Sequence, residues 1–155
     1  METREYTVYK FDELDEQGKE KVLTRYSDIN VDHDWWDCLY DDAENIGLKI
    51  TSFDSNDLQG DLVLDPMDVI RKVFTDHGRA CGTYKECMES LLARHIAKKE
   101  GWFQYDEWAD ALNLRMRECY RITLRNEYEH LTSIEQVAET LRSNEYDFTT
   151  EGKID

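Results

Sequence analysis

Residues of strand-forming type alternate over Glu5-Tyr6-Thr7-Val8-Tyr9-Lys10-Phe11, the period of a strand with one buried face. The period then changes. Leu14, Val22, Leu23 and Tyr26 recur at helical spacing around Asp15, which predicts a capped helix to about Tyr26, weakened by about 1 kcal/mol at Gly18. Trp36, Leu39, Tyr40, Ala43 and Ile46 predict a second helix, capped by Asp32 or Asp34 and closed by Gly47 in a left-handed conformation. On that helix Asp37, Asp41 and Glu44 line one outer face.

Leu48-Lys49-Ile50-Thr51-Ser52-Phe53 reads as a second strand and Asp61-Leu62-Val63-Leu64 as a short third, joined by the polar loop from Asp54 to Gly60. Asp65-Pro66 starts a helix that buries Val69, Ile70, Val73 and Phe74 and stops at Gly78. Thr83-Tyr84-Lys85-Glu86 has capping-box spacing, and behind it Tyr84, Cys87, Met88, Leu91, Leu92, His95 and Ile96 form a continuous apolar stripe. A longer helix, from about Gln104 to Leu131, carries Trp108, Leu112, Met116, Cys119, Tyr120, Leu124 and Tyr128. Thr132-Ser133-Ile134-Glu135 opens a last helix with Val137, Ala138 and Leu141 inside. Tyr146-Asp147-Phe148-Thr149 is a closing strand beside the first. The expected fold class is α+β, one domain over residues 1–155: a small, mostly antiparallel sheet packed on a bundle of about five to six helices. No internal repeat or linker interrupts it.

Charge changes the picture. The chain carries a net −16, and the stretch from Asp28 to Asp65 holds eleven carboxylates against one cation, Lys49. That stretch is also rich in aromatic and aliphatic residues, so it reads as folded structure with an acidic outer face, not as a disordered acidic tail. Such a balance argues against direct binding to nucleic acid or an anionic membrane, because phosphate contacts need clustered Lys and Arg. It favours a basic partner, or serves solubility alone. The one basic row, Arg115, Arg117, Arg121 and Arg125, is expected to pair with the protein's own acids.

Candidate chemistry is sparse. The run Asp28-x-Asn30-x-Asp32-x-Asp34 begins like a calcium loop, but His33 stands where the turn needs Gly and Leu39 where the bidentate Glu belongs. His77, Cys81 and Cys87 fit no compact zinc spacing. His95 falls on the apolar stripe and is expected to be a hydrogen-bonded core histidine. Cys38, Cys87 and Cys119 fall on apolar helical faces, so no disulfide is expected. There is no GxSxG, no GxxxxGK[ST] and no GxGxxG. No metal, no cofactor and no enzymatic activity are expected. No apolar run reaches membrane-spanning length and the N-terminus does not resemble a signal peptide, so a cytoplasmic location is the expectation.

At Tyr9-Lys10-Phe11-Asp12-Glu13-Leu14, Lys19-Glu20-Lys21 and Asp28-Ile29-Asn30-Val31-Asp32-His33-Asp34-Trp35-Trp36, the chain resembles a family of small acidic proteins of bacteriophages and prophages. Asn144-Glu145-Tyr146-Asp147-Phe148-Thr149-Thr150-Glu151-Gly152-Lys153 is similar to that family's closing segment. The resemblance covers roughly residues 6–53 and 126–153, and Gly18 departs from it. It implies a mobile-element context, in which small acidic proteins block host defence as anti-CRISPR or anti-restriction inhibitors. It transfers no catalytic motif.

Joined to the charge map, the resemblance leads to an inhibitor whose acidic face stands in for nucleic-acid phosphate in the basic channel of a CRISPR effector or other defence nuclease in the host cytoplasm. The expected contacts are Asp34, Asp37, Asp41, Asp42 and Glu44, with Asp54, Asp57 and Asp61 as a second row. Trp35 is either an exposed anchor or a core residue. The alternative is an antitoxin or regulatory adaptor that meets a toxin or RNA-processing enzyme through its helices. The oligomeric state stays open.

Overall fold

Asp15 opens the first helix as the sequence predicts: its Oδ1 accepts the Gly18 amide at 2.7 Å, and α1 runs Glu16–Arg25. The computed structural model describes residues 6–155, which fall into two units. The fold is α+β, with six helices and a two-stranded antiparallel sheet among the described residues.

The first unit takes the described residues up to Trp35 together with Glu127–Asp155. Its core is Phe11, Val22, Val137, Ala138, Leu141 and Phe148, contributed by α1, by the last helix (here α6, Ile134–Ser143) and by the segments beside them. Ser133 caps α6, accepting the Gln136 amide at 3.2 Å. Phe148 is fully buried and packs edge-on with Phe11 and tilted against Tyr26, with ring centroids 6.5 and 6.2 Å away.

The two strands predicted at the ends shrink to isolated bridges. Glu5 lies outside the described residues, and of the rest only Tyr9 pairs, exchanging both backbone hydrogen bonds with Phe148 at 2.9 and 2.8 Å. Phe148 pairs in turn with Ile154. The cause is local: Phe11–Glu13 winds into a 3₁₀ turn, and the Glu13 carboxylate accepts the Lys10 amide at 2.7 Å, which ends the extended run and drops Phe11 into the core.

The second unit is Trp36–Asn126. Helix α2 runs Asp37–Asn45 and has no side-chain cap. Neither Asp32 nor Asp34 caps it, because Trp36 takes the N-cap position in a helical conformation and both acids lie upstream of it. The chain leaves α2 through Gly47 at φ 99°, where a Cβ would stand 2.8 Å from Leu64 Cδ1. Strands β1 (Leu48–Phe53) and β2 (Leu58–Leu62) pair antiparallel, Leu48 opposite Leu62 and Phe53 opposite Leu58, with an irregularity between Ile50 and Ser52. The second strand of the hairpin thus starts three residues before the predicted Asp61. Asp54 explains the shorter loop: its Oδ1 accepts the Asn56 and Asp57 amides at 2.8 and 2.9 Å, a tight Asx turn that brings Leu58 into the core at once.

Helix α3 (Pro66–Asp76) begins with Pro in its first turn, but the Asp65 carboxylate accepts the Tyr105 hydroxyl instead of capping. Helix α4 is Gly82–Glu100 and α5 is Tyr105–Leu131, whose end from Glu127 on belongs to the first unit. The capping box expected at Thr83 is absent; Cys81 holds the N-cap position and contributes no side-chain bond. On α5, Trp108, Leu112, Met116, Tyr120 and Leu124 are buried, and the Trp108 indole donates to the Ser90 carbonyl of α4 at 3.0 Å.

The α4 stripe divides, against expectation. Cys87 is buried and Tyr84 and Leu91 half-buried, while Met88, Leu92, His95 and Ile96 are exposed. A surface helix buries one face, and α4 turns Thr83, Cys87, Ser90 and Ala97 inward. His95 is therefore not a core histidine.

Candidate functional site

The nine residues expected to make the binding surface separate by unit. Asp34 and Trp35 belong to the first, and Trp35 is half-buried with its ring centroid 5.8 Å from that of Tyr128. The other seven belong to the second, where every one of them is exposed.

Within the second unit these acids are of two kinds. Asp54 is spent on its own turn, Asp57 accepts from the Gln59 amide and lies 3.9 Å from Arg117 Nη2, and Asp61 accepts from Asn113 at 3.3 Å. Asp37, Asp41 and Glu44 stand differently. Spaced i, i+4 and i+7 on α2, their carboxylates carry no hydrogen bond or ion pair among the described residues. α2 contains no basic residue: Asp37, in its first turn, meets the positive end of the helix dipole, whereas Glu44, in its last turn, faces the negative end uncompensated, at a cost of about 0.3–1 kcal/mol. Asp37 and Asp41 add like-charge repulsion across one turn.

Asp42, one step around the helix, is tied into the fold. Its Oδ2 accepts the Tyr120 hydroxyl at 2.7 Å, and its Oδ1 lies 3.1 Å from His77 Nε2, while His77 Nδ1 reaches the Thr83 hydroxyl. With a neutral ring, Nε2–H donates to the carboxylate and the threonine hydroxyl donates to Nδ1. Burial, with the Asp42 hydrogen bond behind it, pushes the Tyr120 phenol well above its ordinary range. These groups line a cavity of about 580 Å³ with Cys81, Glu86 and Cys119. Burial pushes the Cys119 thiol up to about 11 and that of Cys87 to about 12, so neither is an activated nucleophile near neutral pH. Cys38 and Cys81 are exposed, Cys38 against the apolar placement expected for it.

Sequence spacing did not reveal this network, because its members lie on three helices and a connection far apart in the chain. The sequence signal at His77 is its spacing to Cys81, which fits no compact zinc site. Among the described residues no group of three or more His, Cys, Asp or Glu is arranged to hold a metal ion. Of the run that begins like a calcium loop, Asn30 is engaged by the fold: it donates to the Leu131 carbonyl at 2.8 Å and accepts from Thr140 at 2.8 Å.

The arginines on α5 turn to the protein itself. Arg115 pairs with Glu86, Arg117 donates twice to the Leu58 carbonyl, and Arg121 binds Glu118 at 2.6 Å and the Ser55 carbonyl at 3.0 Å. The hydrogen bond from Arg121 holds the Glu118 carboxyl below its usual range. Arg117 and Arg121 thus anchor the hairpin, and none of these three arginines pairs with Asp37, Asp41 or Glu44. No helix of the described residues is long and apolar enough to cross a membrane. No family model matches the chain, and neither the curated proteins nor the solved structures include a match to it.

Proposed function

We propose that the protein is an inhibitor of the phage anti-defence type, which uses the acid face of α2 as a substitute for nucleic-acid phosphate on a basic protein, such as a CRISPR effector or another defence nuclease. The observation that carries the reading is the state of Asp37, Asp41 and Glu44: exposed, without side-chain partners, and crowded by like charge along one face, with Glu44 also set against the helix dipole. Carboxylates that pair with nothing in the fold are stabilised when a cationic groove supplies the missing charge. Consecutive members of the row, one helical turn apart, lie about 5–6 Å from one another, and a side chain's freedom spans the difference from the phosphate repeat of a nucleic-acid strand. Asp54, Asp57 and Asp61 add charge on the hairpin. Asp42 supports the row from behind by fixing α2, and is not itself a principal contact.

The experiment is phage plating on bacteria that carry an active CRISPR or restriction system. Expressing the parent protein restores plaques against the system it targets, and the variant Asp37→Lys, Asp41→Lys, Glu44→Lys does not. Equal restoration by both removes the acid row from the mechanism, and no restoration against any system removes the anti-defence reading.

A further inference from the structure

The outer face of α4 is the reverse of the rest of the protein. Met88, Leu92 and Ile96 recur every four residues and are 53 %, 52 % and 41 % exposed, so an apolar ridge about 12 Å long faces solvent on a helix that also has a buried side. On an ideal helix Lys85, His95 and Lys99 fall on this same side, and all three are exposed. None of their side chains makes an ion pair or hydrogen bond among the described residues. Of the neighbouring acids of α4, Glu86 is turned away to Arg115 and Glu100, next in the row after Ile96, accepts from the Trp102 indole at 2.7 Å, which leaves Glu89 as the unengaged carboxylate of this helix beside the ridge. A chain of net −16 thus leaves one apolar strip bordered mainly by cations.

We infer that this face of α4 is a docking site for an acidic amphipathic helix of another protein, separate from the α2 acids and of opposite charge. Apolar residues at i, i+3, i+4 and i+7 of the incoming helix cover Met88, Leu92 and Ile96, and its flanking Asp and Glu meet Lys85 and Lys99. A second copy of this chain fits less well, because two α4 faces brought together would set these lysines and His95 against their own kind. An acidic segment relieves the charge that a like surface would compound. The ridge is smaller than the about 800 Å² per partner of a standard interface, which places the contact in the weak, exchanging class.

The test uses the 155-residue chain and two synthetic helical peptides of about 15 residues, identical in their leucine face and carrying either Glu or Lys elsewhere. Fluorescence anisotropy of the labelled peptides should show the Glu peptide binding at least about tenfold more tightly than the Lys peptide. Leu92→Glu, and separately Lys85→Glu with Lys99→Glu, should each weaken the Glu peptide by about tenfold or more. Both variants change exposed side chains, and unchanged circular dichroism will show that the fold is kept. Equal binding of the two peptides, or none at about 1 mM, overturns the inference. So does a parent that sediments as a dimer and becomes monomeric on Leu92→Glu, which assigns the face to self-association. Leu92-dependent retention on phosphatidylserine vesicles would overturn it too, by assigning the face to a membrane surface.

Discussion

The Tyr120 hydroxyl donates to Asp42 Oδ2 at 2.7 Å, so a residue that the sequence places in a row of surface acids also satisfies a phenol buried on α5. The same carboxylate holds His77, and through it the start of α4. Position 42 is thus a strut where positions 37, 41 and 44 are free.

Asp42→Ala leaves the Tyr120 hydroxyl without its partner and should cost about 1–3 kcal/mol in urea denaturation. Asp41→Ala and Glu44→Ala remove charges that repel a neighbour or oppose the helix dipole, and should change stability by less than about 0.5 kcal/mol or raise it. If Asp42→Ala is as mild as these two, the network around His77 does not hold α2.

How much of this was legible in the sequence follows the range of the forces. Asp15, Pro66 and Gly47 act on their own neighbours within a few residues and take the places their local chemistry predicts, while the cap of α6 falls on Ser133, one residue after the Thr132 of the expected capping box. The strand at Tyr9 failed because its pairing depends on Phe148, far along the chain, while the turn at Phe11–Glu13 competes locally and wins. Likewise the α4 stripe contains two apolar faces, and periodicity cannot tell which of them a neighbour covers. The free state of Asp37, Asp41 and Glu44 was legible as spacing, but the engagement of Asp42 was not, since Tyr120 and His77 reach it only through the fold.

Alkaline pH should destabilise the second unit. The Cys87 and Cys119 thiols, ordinarily near 9.0, are raised to about 12 and about 11 by burial, and Tyr120 is raised as well. Below pH 9 the thiols are protonated whether the chain is folded or not, and their contribution is fully present. As pH rises further, the unfolded chain releases protons that the folded one keeps, so stability falls from about pH 9 towards 11 and 12. Thermal melting across this range should show the decline, with a shallower slope in Cys87→Ala and Cys119→Ala. A melting temperature level from pH 9 to 11 contradicts the burial of these thiols.

Phe148→Ala removes the fully buried ring that Phe11 and Tyr26 pack upon and should cost the first unit about 3–5 kcal/mol. Hydrogen exchange reads the loss directly, through faster exchange in α1 and α6. Unchanged exchange in these helices would mean that Phe148 is not central to their packing.

The most direct test of the acid face compares what it captures with and without its charge. Parent protein and the variant Asp37→Lys, Asp41→Lys, Glu44→Lys, both shown to be folded, are immobilised and exposed to lysate of a bacterium whose defence the parent blocks. The retained proteins are then quantified by mass spectrometry, with and without added duplex DNA. The account predicts that the parent retains a basic nucleic-acid-binding protein of that defence system, that DNA or high salt displaces it, and that the variant retains at least about tenfold less. Equal retention by the variant, or retention that neither DNA nor salt disturbs, would contradict it.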